Sequence, residues 1–290
     1  MYIEVFMITK KNIEFFSKNG FFHYKNFFSK AEINKAKRWM LKQNPKKILK
    51  SWTETEPYVP IAVYSVLSEK KSPISELSIN KKMLNIACKL IQAPVYVWHS
   101  KVNMKAAWCG TVEYFHQDRV YWQDRGYPSD KMLSCMIIMD DHNQDNAGLQ
   151  IFKGTHKLGF IKHVPFININ GLAKFMVSPK TLNKINKKFE HVRVNAKIGD
   201  VFFFHSSLLH GSSHNTSPNN RMIILSQLNT IGNQPKDVRK NAIKFNLLRA
   251  KREYEESLRR FNWFKQKYFN QKKSTKILFS APIPKEEKNN

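Results

Sequence analysis

His116 and Asp118 stand two residues apart, and a second imidazole, His210, and a guanidinium, Arg221, follow far along the chain. On a β-strand, residues two apart share a face, so His116 and Asp118 can point together while Gln117 turns away. Two imidazoles and one carboxylate cover one face of an octahedral ferrous ion and leave three adjacent positions for a chelating co-substrate and dioxygen. Arg221, eleven residues after His210, carries a permanent charge on a planar fork that binds carboxylate bidentately, so it can grip the far end of a diacid. The chemistry these residues can support together is oxygenation at non-haem iron. A lone His-x-Asp arises readily by chance in a chain with 10 histidines and 22 acidic residues, so the weight lies on the distant partners.

Those partners sit in ordered blocks. The stretch from Ile13 to Met40, with Gly20-Phe21-Phe22 and Phe28-Ser29-Lys30-Ala31-Glu32-Ile33, reads as helix, strand, helix. Three central blocks follow: His99 to Lys105, Phe115-His116-Gln117-Asp118 with Tyr121-Trp122, and Gly148 to Gly159. A closing block holds Gly199-Asp200-Val201-Phe202-Phe203-Phe204-His205, His210-Gly211-Ser212, Asn215-Thr216-Ser217 and Arg221. In order and spacing these blocks resemble the phytanoyl-CoA dioxygenase family. The resemblance implies a double-stranded β-helix enzyme that uses Fe(II), 2-oxoglutarate and dioxygen to hydroxylate an unactivated carbon, releasing succinate and carbon dioxide.

Residue by residue, the resemblance makes His116, Asp118 and His210 the iron ligands and Arg221 the partner of the distal carboxylate of 2-oxoglutarate. Ser212, Lys105 and Asn103 join the co-substrate group. His99, Tyr121, Trp122 and Met136 are candidates for a substrate pocket, although aromatic residues in that region serve equally well as core. Members of the family that hydroxylate ectoine are similar at Asn103, Lys105 and Trp122 but carry HSD in place of His116-Gln117-Asp118 and Gln in place of His99. An acidic residue at 118, rather than a small one, points to hydroxylation rather than halogenation. His205 is the rival second imidazole. It lies five residues from His210 in an apolar run and projects to the opposite face of a regular strand, so it reads as a hydrogen-bonded core group, with His156 and His214 structural or at the surface.

The elements that must position these groups are mainly strands. Helical patterns cover Lys11 to Lys18, Lys30 to Lys42, Asn80 to Gln92 and Pro179 to Phe189. Short apolar or alternating runs at Val95–Met104, Thr111–Asp118, Met132–Met139, Leu149–Phe152, His191–Ile198, Val201–Leu209 and Met222–Asn229 are separated by Gly, Pro, Asn and Asp and read as strands. The fold class expected is a mainly β, jelly-roll or cupin-like barrel with flanking helices, spanning residues 1–235. Asp140 to Gly148 reads as a turn whose acidic residues form the turn rather than ligate. From Lys236 the strand signals stop, and a basic helical pattern runs to Asn270 with Leu247, Tyr254, Leu258 and Phe261 at helical spacing. Residues 236–290 are thus expected to form a helical extension and a mobile tail.

Composition fits a single enzyme domain, because 290 residues with 42% apolar content can bury a substantial core. Met1 to Lys10 lacks the apolar stretch of a signal peptide, and no segment approaches the roughly 20 apolar residues of a membrane span, so a cytoplasmic location is expected. Cys88, Cys109 and Cys135 are too scattered for a disulfide framework or a zinc site and read as small buried side chains. The formal charge of +27 fits an anionic, CoA-linked or carrier-linked substrate as well as a small metabolite. It also leaves a second function class, a catalytically silent or nucleic-acid-associated basic barrel. A bias toward Lys and Asn throughout the chain accounts for the charge without either.

Overall fold

The computed structural model describes residues 8–42, 63–65, 72–108, 112–124, 126–167 and 173–236. The C-terminal helix and tail expected beyond Lys236, Cys109, Thr111 and the first seven residues lie outside the described residues.

Three amphipathic helices carry clear start signals. Helix α1 (Lys10–Asn19) opens on a Thr9–Asn12 capping box and stops at Gly20, whose φ of +81° closes the last turn in the left-handed region. Helix α2 (Lys30–Leu41) opens on the Ser29–Glu32 capping box. Past strand β1 (Phe21–Tyr24), strand β2 (Val63–Ser65) and the short helix α3 (Pro73–Ser78) comes helix α4 (Lys81–Ile91), capped by Asn80. Met83, Leu84, Ile86, Ala87 and Leu90 of α4 are buried, a stripe of helical period that lies on the sheet.

That sheet has six antiparallel strands in the order β1-β10-β5-β12-β3-β2, with β3 at Val95–Lys105, β5 at Met132–Ile138, β10 at Val201–His205 and β12 at Arg221–Thr230. Period-two alternation divides its side chains. Leu133, Cys135 and Ile137 of β5, Val201 and Phe203 of β10, and Met222, Ile224 and Leu228 of β12 join the helices in one apolar cluster. Met136 and Ile138, Phe202 and Phe204, and Ile223 face the other way and meet Leu149 and Ile151 of the second sheet. The second sheet orders β4-β11-β6-β9, comprising Glu113–His116, His210–Ser212, Leu149–Phe152 and His191–Arg193. Two facing sheets with helices packed on the outside of one form the expected mainly β barrel architecture.

Several boundaries differ from the sequence expectation. The run from Val201 to Leu209 is not one strand. Strand β10 ends at His205, and the Ser206–Leu209 segment turns the chain into β11 of the opposite sheet. The strand expected over 111–118 ends at His116, because Tyr121 N–H bonds the Asp118 carbonyl at 3.0 Å and starts helix α5 (Arg119–Asp124). The strand expected over 191–198 ends at Arg193, leaving an isolated bridge between His142 and Ala196. Helix α6 (Pro179–Asn186) is shorter than its pattern. A hairpin of β7 (His163–Ile167) and β8 (Ala173–Val177) lies outside the strands expected from sequence, since Pro165 within the first run cannot donate to a ladder and reads against a strand.

Candidate metal centre

His116 closes β4 and His210 opens β11, and the two are paired residues across that antiparallel ladder, with ring centroids 4.5 Å apart. Asp118 reaches the same spot from the turn that follows β4, not from a strand. Its Oδ1 lies 3.7 Å from Nε2 of His116 and 3.6 Å from Nε2 of His210. One ligand atom from each of the three lies within 4.8 Å of the others, and all three residues are buried. The structure thus brings together the three residues singled out from the sequence.

Their hydrogen bonds prepare them for a cation. Nδ1 of His116 lies 2.7 Å from the Tyr114 carbonyl and Nδ1 of His210 lies 2.9 Å from the Leu208 carbonyl. A carbonyl only accepts, so each Nδ1 carries the proton and each Nε2 presents a lone pair inward. Ser134 Oγ donates to Asp118 Oδ2 at 2.8 Å, which leaves Oδ1 for the centre. Burial disfavours a charged imidazole at His210, and the adjacent His116 adds to this, bringing its pKa down to about 4. Burial also opposes ionisation of Asp118, yet His210 and His116 outweigh it and hold the carboxyl well below the usual range. An uncharged imidazole at His210 and an ionised carboxylate at Asp118 are protonation states that metal binding requires, and two imidazoles with one carboxylate are a donor set that fits a ferrous ion.

Gln117 does not idle between the ligands. Its side chain donates to the carbonyls of Gly159 and Ser207 at 2.8 and 2.7 Å and accepts from Ile161 N–H at 2.8 Å. Its own N–H donates to Nε2 of His163 at 3.0 Å. These bonds pin the turn that carries Asp118 to the hairpin and to the β10–β11 connection.

Arg221 and Lys105 are paired across β12 and β3 and both are buried. Lys105 Nζ donates to Ser212 Oγ and to the Ser213 carbonyl, each at 2.7 Å. Burial, then the charge of Arg221, lowers the pKa of Lys105 well below its ordinary value. Burial lowers that of Arg221 to about 10, which still leaves it charged at neutral pH. Arg221 Nε and Asn103 Oδ1 are buried without a hydrogen-bond partner. An orphaned guanidinium N–H beside a second cation is what a carboxylate would satisfy, so the residues present fit the distal end of 2-oxoglutarate.

The rows of the large sheet place the remaining candidates. His99 pairs with Gln227, which pairs with Ser134, so His99 shares a row with the serine that holds Asp118. Lys101, Leu225 and Met136 form the next row, and Met136 belongs to the cluster between the sheets. Tyr121 lays its ring against His116 at 5.8 Å and against Phe175 at 5.5 Å. Trp122, by contrast, packs edge-on to Trp98 at 4.8 Å in a buried cluster with Tyr96 and Tyr127, and core contacts account for its position. His205 accepts from Ser207 N–H at 3.1 Å beside His156, and His214 is exposed.

Five residues at this site were given no role from the sequence. Ser134 and Lys101 were readable by alternation from Met136 and Lys105. His163 and His142 carried no local signal. Glu113 was hidden by a register shift: His210 pairs with His116 but Ser212 pairs with Glu113, so an extra residue bulges from β4. The bulge puts a carboxylate three residues from His116 on the ladder position of Ser212. Burial opposes its charge, but Lys174, which lies 3.2 Å away, and then His116, Lys105 and Lys101 hold its pKa at about 2.

Comparison with known proteins agrees with this geometry. A family profile described as phytanoyl-CoA dioxygenase (PhyH) matches residues 16–223. The ectoine dioxygenase of Bordetella parapertussis is 27% identical over 243 residues, covering 79% of each chain. The L-proline trans-4-hydroxylase of Streptomyces griseoviridis is 27% identical over 164 residues, 53% of this chain and 61% of that one. Among solved structures, EctD from S. alaskensis with bound Fe superposes with a TM-score of 0.65 at 19% identity over 82% of each chain. The same protein with 2-oxoglutarate and 5-hydroxyectoine gives 0.62 at 19% identity over 81% of this chain and 80% of that one. With the profile spanning both sheets and every residue of the metal cluster, the chain belongs to the phytanoyl-CoA dioxygenase family of iron- and 2-oxoglutarate-dependent oxygenases.

Proposed function

We propose that this protein hydroxylates a carbon of a compact, charged small molecule, consuming dioxygen and 2-oxoglutarate and releasing succinate and carbon dioxide. His116, Asp118 and His210 hold the iron, and Arg221 and Lys105 hold the distal carboxylate of the co-substrate, with Ser212 and Asn103 beside them. The observation that carries this reading is the pair of imidazoles whose Nδ1 protons go to backbone carbonyls, so that both Nε2 lone pairs meet Asp118 Oδ1. Bound iron with 2-oxoglutarate supplies the oxidising power for attack on an unactivated C–H bond. The protein's part is positional. Ser134 and Gln117 fix the carboxylate and its turn, Tyr121 and Phe204 lay apolar rings against His116 and His210, and these rings keep water from the reacting carbon.

For the substrate, the named relatives act on ectoine and on L-proline, both small cyclic molecules that carry a carboxylate. On the inner face of the large sheet, His99 and Gln227 in one row and Lys101 in the next offer hydrogen-bonding and cationic groups for such a carboxylate, with Met136 and Tyr121 as neighbours. Glu113 provides an opposite charge for a cationic centre. The CoA-linked and carrier-linked substrates considered from sequence find no residue that speaks for them. Among the described residues no helix is long and apolar enough to cross a membrane.

The test is succinate formation by the ferrous protein with ectoine, L-proline and related cyclic amino acids, combined with mass spectrometry for a product heavier by one oxygen atom. Stimulated succinate release that disappears in Asp118→Ala is the expected result. Release that is unchanged in a folded Asp118→Ala protein would overturn the assignment.

A further inference from the structure

His142 lies in the Asp140–Gly148 turn, is 2% exposed, and sits against the guanidinium of Arg221. Its Nδ1 faces the Asp140 carbonyl at 3.4 Å and therefore carries the proton. Its Nε2, 3.2 Å from Arg221 Nη1, is then an acceptor for an arginine N–H. The second acceptor on Nη1 is the Ala147 carbonyl at 2.7 Å. Ala147 is fully buried at a φ of +63°, a left-handed conformation that strains a residue with a Cβ. The turn that imposes it is tightly determined. Asn143 and Asn146 bond across it, Gly148 N–H donates to the Asn143 carbonyl, and His142 pairs with Ala196 in both directions. A strained carbonyl and a buried neutral imidazole thus converge on one nitrogen of Arg221, while its Nε has no partner.

We infer that His142 is a positioning residue for co-substrate binding: with the Ala147 carbonyl it holds Nη1 of Arg221 and so aims the Nε edge of the guanidinium at the incoming distal carboxylate. This rests on the reading of Arg221 as the carboxylate clamp. The guanidinium is planar and rigid, so fixing Nη1 from two directions fixes where the other N–H groups point. Without the imidazole, the side chain can swing about the Ala147 bond, and the carboxylate must order it on binding.

The test compares binding of 2-oxoglutarate with that of pyruvate, a 2-keto acid that lacks the distal carboxylate, by calorimetry on the ferrous protein under argon. His142→Leu removes the acceptor, and His142→Asn keeps a polar side chain but withdraws it. Each is expected to weaken 2-oxoglutarate about tenfold, the scale of one lost hydrogen bond to a charged group, and to leave pyruvate unchanged. His142→Gln, which can return an oxygen near the Nε2 position, is expected to recover most of the loss. Wild-type affinity for 2-oxoglutarate in either folded variant, or an equal loss for both ligands, overturns the inference. Arg221→Ala separates the two levels of the argument. If it does not lower the preference for 2-oxoglutarate over pyruvate, the clamp itself is wrong, whatever His142 does.

Discussion

Ser134 Oγ donates to Oδ2 of Asp118 at 2.8 Å, so that one oxygen of the carboxylate is occupied and the other, Oδ1, is directed at the two imidazoles. The bond joins the central strand β5 of the large sheet to the turn after β4 of the small one. Ser134→Ala should keep the fold and weaken ferrous ion binding about tenfold to a hundredfold, the range for groups that orient metal ligands. A metal titration with a competing chelator measures it, and an unchanged affinity would remove Ser134 from the site.

Lys105→Met keeps most of the stem that β3 packs but deletes the cation shared by Ser212 and Ser213. The expected outcome is a KM for 2-oxoglutarate raised about tenfold, as for a lost charge-assisted bond, at unaltered iron affinity. Loss of iron together with 2-oxoglutarate would place Lys105 in the scaffold instead.

The buried imidazoles should make the protein acid-sensitive. Burial brings His205 from 6.5 to about 4, with His156 adding to it and Asp130 opposing it, and burial likewise brings His163 to about 4. Between these values the unfolded chain takes up protons that the folded chain refuses, so stability falls as pH drops from about 6.5 to about 4. Above that window these groups add no pH dependence. At ~1.4 kcal/mol per pKa unit, His205 alone contributes roughly 3 kcal/mol. Thermal unfolding of the metal-free protein across this range should show the decline, and His205→Gln should flatten it; an identical slope in the variant would contradict the assignment.

Gly199 has a φ of +94°, and a Cβ there would stand 2.1 Å from the carbonyl oxygen of Phe28. The Gly199 carbonyl accepts from Phe28 N–H at 2.8 Å, so the approach ties the segment before β10 to the segment before α2. Gly199→Ala should cost ~3 kcal/mol or more, combining backbone strain with a clash against main chain that cannot rotate away. Chemical denaturation measures this, and a cost under ~1 kcal/mol would show that the segment yields.

Much of the site was legible because its groups are strong, rare and locally ordered. His116, Asp118, His210 and Arg221 could be read from residue type and block order, and the helix caps at Thr9, Ser29 and Asn80 from local hydrogen-bonding rules. The stretches that form β5 and β12 were legible as short apolar or alternating runs. The route of the carboxylate did not: strand period was expected to carry Asp118, whereas a helix start and the bonds of Gln117 do so. The apolar run from Val201 to Leu209 concealed a change of sheet, since burial on both sides looks alike in sequence.

What the chain's sequence determined by itself was the inventory of ligands, the charge available to grip an anion, and the periodicity that makes two apolar-faced sheets. Only the tertiary structure decided that Ser134 serves Asp118, that a bulge turns Glu113 toward Lys174, and that His142 meets Arg221. Each of these contacts joins residues from 16 to 79 positions apart. Spacing along the chain fixes which way a side chain points within its own element. Register between elements fixes whom it meets, and register is set by the summed packing of many apolar side chains rather than by any residue in the pair.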